Sequence, residues 1–190
     1  LNALDDEGRL TDAGRAMRRL SLPVRLAHMV AEAGDKPKAA ELAVLVTERG
    51  LGGTSADLDR RLARFRDERG QRAEGARALA QRLARQAGGG KAGADDASTG
   101  ALLALAYPDR VAKARGEHGR FVLANGRGAM LDAADPLAGE AFLVVADLQG
   151  KAQNARIAQA AAIAEEDVRS LLAGRLETER QTVFDADKGA

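Results

Sequence analysis

The chain has 190 residues, 45% hydrophobic and 30% charged, with a formal net charge of +1. That length suits one domain or two small ones around a buried core. The lack of cysteine excludes disulfides and thiolate metal sites, and the near-zero balance removes any bulk-charge argument for a polyanion partner. No apolar run approaches the ~18 residues of a membrane span, and no signal peptide is read, so a cytoplasmic protein is expected.

Aromatic residues make up only 3% of the chain, so the core must be built from Leu, Val and Ala. Asp5-Asp6-Glu7-Gly8 is a turn signal between two short strands in 1–10. Thr11 is placed to cap a helix over Asp12 to Leu20, its hydroxyl accepting from a first-turn amide. Pro23 suits the first turn of the next helix, where Leu26, Met29, Val30 and Ala33 share one face before Gly34. Pro37 opens a third helix with Ala39, Leu42, Ala43 and Val46 inward. After a Gly50–Gly53 loop, Thr54 or Ser55 is expected to cap a helix with Leu58, Leu62 and Phe65 inward. A fifth helix carries Leu79 and Leu83 on its apolar face. Together these segments predict a helical bundle over residues 1–86.

Residues 87–100 are dense in Gly, Ala and Asp and lack large apolar side chains, which predicts a linker or surface loop. Ser98 or Thr99 would cap a helix over Ala101 to Ala106, and a helical turn is expected from Asp109 to Ala114. From Gly119 the pattern alternates. Phe121 and Leu123 point one way, Val122 and Ala124 the other, with Asn125-Gly126 as a two-residue hairpin turn. Further strands are predicted through Ala129 and Leu131, over Ala141 to Leu148, Asn154 to Ala160 and Arg175 to Phe184. A short helix from Glu165 to Leu172 separates the last two. The expected fold is therefore α+β, with a helical bundle followed by a small OB-like barrel over 101–190. The chain opens without Met on strand-like sequence and closes on an unpartnered strand, so both ends read as cut points, with N-terminal processing or missing initial residues as the alternative at the start.

Few residues could carry chemistry. Gly88-Gly89-Gly90-Lys91 evokes a phosphate loop, but Arg85 stands where its first Gly belongs and Ala92 where a Ser or Thr would hold Mg²⁺. The acidic groups lack metal-loop spacing. Asp5 to Glu7, Asp132 and Asp135 fit turns, and Glu165 to Asp167 fit a helix N-terminus. His28 and His118 have no Ser, Cys or second His at catalytic spacing. No catalytic or metal residue is assigned. The basic content is the remaining candidate. Arg60, Arg61, Arg64, Arg72, Arg77, Arg82 and Arg85 are balanced by nearby Asp57, Asp59, Asp67, Glu68 and Glu74. Arg110, Lys113, Arg115, Arg120 and Arg127 flank the first hairpin and are the nucleic-acid-binding candidates. Arg suits phosphate oxygens through its planar fork, and the few aromatics argue for backbone contact rather than base stacking.

Three stretches resemble the C-terminal accessory region of bacterial ATP-dependent helicases of the HrpB type, relatives of the DEAH-box RNA helicases. They are Tyr107-Pro108-Asp109-Arg110, the run Leu123-Ala124-Asn125-Gly126-Arg127-Gly128-Ala129, and Phe142 to Leu148. Leu4-Asp5, Gly8, Leu10-Thr11, Gly14 and Arg25-Leu26 add to the likeness, while Val24 and Phe142 stand where Pro and Trp are usual. The resemblance implies the end of a winged helix and a helical ratchet domain over 1–86, and an OB-like domain beyond the 87–100 linker. It implies a strand guide for single-stranded RNA, or DNA, beside RecA-like motor domains of the same protein. ATP and Mg²⁺ would belong to that motor, and no cofactor to this segment. The alternative is an interaction module that receives a protein activator and does not touch nucleic acid.

Overall fold

The computed structural model describes residues 3–88, 97–150 and 155–175. Within them the fold is α+β, with helices followed by a closed five-stranded barrel. The five N-terminal helices are α1 (Asp12–Arg19), α2 (Val24–Glu32), α3 (Lys36–Thr47), α4 (Leu58–Asp67) and α5 (Gln71–Gln86). Local chemistry sets several of their starts. The Thr11 hydroxyl accepts from the Gly14 amide at 3.0 Å, and Asp35 accepts from Lys38 at 2.9 Å. Leu26, Met29, Leu42, Leu45 and Phe65 are fully buried in one apolar cluster. The turn at Asp5 to Gly8 is closed by a single antiparallel bridge between Leu4 and Leu10.

The start of α4 departs from the expectation. Asp57 caps it, accepting from the Asp59 and Arg60 amides, in place of Thr54 or Ser55. The cause is tertiary. The Ala56 carbonyl accepts from the Ala160 amide at 2.9 Å and Asp57 bridges Ala160 in parallel, so this stretch stays extended along the barrel. Only past that contact does the chain coil.

Helix α6 (Thr99–Ala106) begins inside the expected linker, capped by Ser98, which accepts from Ala101 at 3.0 Å. A short 3-10 turn, Pro108–Arg110, follows. The helical turn expected through Ala114 is not formed. Val111–Ala114 is strand β1, hydrogen-bonded to a neighbour on each side. Ala, Lys and Arg favour helix, but pairing on both edges outweighs that weak preference. The other strands are β2 (Arg120–Leu123), β3 (Gly128–Met130), β4 (Phe142–Gln149) and β5 (Ala155–Ala162).

The strand order around the barrel is β1-β2-β3-β5-β4, closed by β4 on β1, with β3 and β5 parallel and the other pairs antiparallel. Five strands thus close the barrel with β1 among them. The strand predicted over 175–184 lies outside the described residues apart from Arg175, which ends a 3-10 turn. The hairpin between β2 and β3 also differs from the two-residue form. Gly126 donates to the Leu123 carbonyl at 2.8 Å and Leu123 to Arg127 at 2.9 Å, so Ala124, Asn125 and Gly126 bridge the strands with Gly126 at φ 81°. A three-residue loop of this kind ends on a left-handed residue, which Gly tolerates.

The barrel has two apolar surfaces. Ala112, Phe121, Leu123, Leu143, Val145 and Ile157 fill its interior. Val111, Val144, Ala146, Ala161 and Ile163 face outward and join the cluster of the helices. Helix α6 is the element between, with Leu102 and Leu103 buried in that shared cluster. Helix α7 (Glu165–Leu171) covers it from the other side through Val168.

Gly100 lets α6 approach β5 this closely. A Cβ there would fall 2.1 Å from the Ala162 carbonyl oxygen and 2.8 Å from the Ile163 Cβ. Gly100→Ala should therefore destabilise the chain by about 1–3 kcal/mol through overpacking, although Ala improves helix propensity by roughly 1 kcal/mol. Urea unfolding measures the net effect, and a stabilised variant would show that the α6–β5 contact is looser than described.

Candidate nucleic-acid interface

The Tyr107-Pro108-Asp109-Arg110 segment lies where α6 leaves the helices and enters the barrel. Tyr107 is buried, and two guanidinium groups lie over its ring, Arg25 from α2 at 5.8 Å and Arg110 at 4.9 Å. Arg25 donates to Asp109 at 2.5 Å and to the Ala106 carbonyl at 3.4 Å. Arg110 donates to the Ala146 carbonyl on β4 at 2.7 Å. Burial pushes the Tyr107 hydroxyl pKa up against the pull of Arg110 and Arg25. Partial burial also pushes the Asp109 carboxyl up, but the hydrogen bond and charge of Arg25 outweigh it and hold the group below the usual carboxylate range. The same hydrogen bond raises the Arg25 pKa. Arg110, one of the sequence candidates, is thus engaged by the joint between helices and barrel.

The other candidates lie on the outer surface of the barrel. Lys113 points out from β1, opposite Val122 on β2 and Phe142 on β4, with its ammonium 5.8 Å from the Phe142 ring. Arg115, just past β1, is exposed, and its amide donates to the Arg120 carbonyl at 3.0 Å. Arg120 is exposed and 3.8 Å from Glu117. Arg127 is exposed at the base of the hairpin loop. Arg115 and Arg127 make no side-chain hydrogen bond or ion pair among the described residues. Lys113, Arg115 and Arg120 therefore share a face, and Arg127 stands beside it.

Arg156 was missed by the sequence reasoning. It is exposed on β5, opposite Met130 of β3, which is itself opposite Arg120. Its signal was present in the alternation of Ala155, Arg156 and Ile157, which turns Arg156 away from the interior. What was missing was the parallel pairing of β3 with β5, because sequence separation gives no hint of it.

The helical arginines are mostly engaged within the bundle. Arg61 is buried and donates to the Leu45 and Leu51 carbonyls at 3.1–3.2 Å, and desolvation lowers its pKa. Arg77 donates to the Phe65 and Glu68 carbonyls at 2.8 Å, Arg60 lies 3.4 Å from Asp57, and Arg72 lies 3.7 Å from Glu48. His28 faces the Leu105 carbonyl at 3.1 Å, where α2 packs on α6. Asp132 and Asp135 accept from the Ala134 and Leu137 amides, as turn residues do. The Gly89-Gly90-Lys91 part of the phosphate-loop look-alike lies outside the described residues. No helix among the described residues is long and apolar enough to cross a membrane.

A helical bundle is thus joined through α6 to a small closed barrel whose outer face exposes Lys113, Arg115 and Arg120. No protein-family profile matches the chain. It is 39% identical over 162 residues, 83% of its length, to the ATP-dependent RNA helicase HrpB of Escherichia coli K12. A crystal structure described as the E. coli DExH-box NTPase HrpB matches the whole chain with a TM-score of 0.77 at 33% identity. Another, described as the Escherichia coli DEAH/RHA helicase HrpB, matches 87% of it with a TM-score of 0.72, also at 33%. The chain spans about a fifth of the curated relative and 20–23% of the solved chains. The resemblance to HrpB-type helicases is borne out for that segment.

The Arg25–Asp109 pair carries a pH signature. Because the folded pKa of Asp109 is lowered, its contribution is complete above the unfolded value of about 3.9 and is lost as pH falls through the folded value. Both side chains are 43% exposed. After discounting for solvent screening, Asp109→Asn should cost about 1 kcal/mol near neutral pH. The gap from wild type should shrink as pH drops below about 3.9. Urea titrations at neutral and acid pH test this, and a gap that does not change with pH would sink the assignment.

Proposed function

We propose that this chain is the accessory segment of an ATP-dependent RNA helicase that holds single-stranded RNA by its phosphates while RecA-like motor domains of the same protein hydrolyse ATP. The observation that carries the proposal is the exposed cationic face of β1 and β2, in a chain whose relative is an RNA helicase. Lys113, Arg115, Arg120 and Arg127 are the contacts. Val122 and Phe142 lie opposite Lys113 on the neighbouring strands and give sugars and bases an apolar surface without a stacking platform. Contact of this kind is sequence-tolerant. Each phosphate neutralised releases counterions, so affinity falls as salt rises, with a slope of roughly 0.7 per contact for a single strand. ATP and Mg²⁺ belong to the motor in this proposal. The segment supplies orientation and grip, and its barrel follows the bundle through the joint at Tyr107.

Arg110 is a poor choice for testing the interface, because its removal also takes a hydrogen bond from β4 and a cation from Tyr107. The informative variant changes Lys113, Arg115, Arg120 and Arg127 together to Gln. Fluorescence anisotropy with a labelled single-stranded RNA should show affinity falling at least about ten-fold and the salt slope falling by about 2–3. Equal affinity for wild type and variant would overturn the interface. Recovery of a stoichiometric protein partner on this face, with no RNA binding, would favour the interaction-module alternative.

A further inference from the structure

We infer that the RNA crosses the barrel along one transverse row, Arg115–Arg120–Met130–Arg156, and that Arg156 on β5 is a phosphate contact at its far end. This rests on the proposed function and adds to it a path and a residue. The register builds the row. Arg115 donates its amide to the Arg120 carbonyl, Arg120 pairs with Met130, and Met130 pairs with Arg156. The adjoining residues Phe121, Ala129, Ala155 and Ile157 are buried, so Arg120, Met130 and Arg156 project outward, and Arg115, hydrogen-bonded beside Arg120, is exposed with them. Strands lie about 4.8 Å apart, so three steps carry the row roughly 14 Å around the barrel.

Charge on the row favours an anion. Arg115 and Arg156 make no ion pair or side-chain hydrogen bond among the described residues. Arg120 has only the exposed Glu117 nearby, at 3.8 Å. Met130 is half-buried and separates the cations with an apolar surface. A single strand has this same alternation of charged phosphate and less polar nucleoside. Past Arg156 the row ends at a cleft of about 300 Å³, lined in part by Thr54, Ser55, Asp132, Asp135, Gln149 and Arg156. The two carboxylates there oppose a phosphate entering the cleft. They hold the backbone on the outer side of Arg156 and leave the cleft to an uncharged nucleoside.

The test compares single-charge variants of the whole chain binding a fluorescein-labelled oligouridylate across a salt series. Arg169→Gln is the control, because Arg169 lies on α7, away from the row, paired with Glu165 at 2.6 Å. Arg156→Gln should weaken binding about three- to ten-fold and lower the salt slope by about one contact, as Arg115→Gln and Arg120→Gln do, while Arg169→Gln stays near wild type. Photo-crosslinking of the wild-type chain should modify the peptide that contains β5. If Arg115→Gln and Arg120→Gln weaken binding but Arg156→Gln matches Arg169→Gln, the path is wrong and the proposed function stands. If the wild-type chain does not bind the oligonucleotide, both are overturned.

Discussion

Two guanidinium groups lie over the Tyr107 ring where the barrel meets the bundle, and this cluster is the polar constraint at the joint. Arg25 comes from α2 and Arg110 from the entry to β1, so one ring ties both parts of the fold together. A cation over an aromatic face contributes about 0.5–2 kcal/mol, more where water is excluded. Asp109 neutralises Arg25, and the Ala146 carbonyl receives Arg110, so neither charge is left unsatisfied at the joint. The barrel is therefore connected to α2 through a short chain of side-chain contacts.

The close packing of α6 supports the same joint. Gly100 removes the side chain that would keep the helix away from β5, and Leu102 and Leu103 then complete the core of the bundle and cover the outer side of the barrel. The barrel consequently has one face closed by helices and one face open. The open face is the one that carries Lys113, Arg115, Arg120 and Arg156. A near-zero net charge is compatible with a local cationic surface, because 28 acidic residues offset 29 basic ones over the chain as a whole, while Arg60, Arg61, Arg72 and Arg77 are engaged by carboxylates or carbonyls of the helical part.

Much of the fold was legible in the chain. The caps at Thr11 and Ser98, the apolar faces of α2 and α3, and the alternation through Phe121 and Leu123 are local signals, acting over a few residues. The errors have a common cause. Asp57 displaced Ser55 as a cap because residues 56–57 are tied to Ala160, more than a hundred positions away. Val111–Ala114 became a strand because β2 and β4 hold it from both sides. Arg156 was overlooked for the same reason, since only the β3–β5 pairing brings it into line with Arg120.

Composition and periodicity by themselves determined the α+β class, the order of most elements and the basic character of the first hairpin, because these follow from spacing along one segment. The motif Tyr107 to Arg110 by itself also carries the resemblance to HrpB-type helicases. Tertiary structure alone decided what each arginine does. Arg61 is buried on carbonyls, Arg110 is engaged by the joint, and Arg115, Arg120 and Arg156 align on the open face. The residues are chemically the same. The fate of a guanidinium depends on which acceptors the folded chain brings within hydrogen-bond reach, and those acceptors come from distant segments.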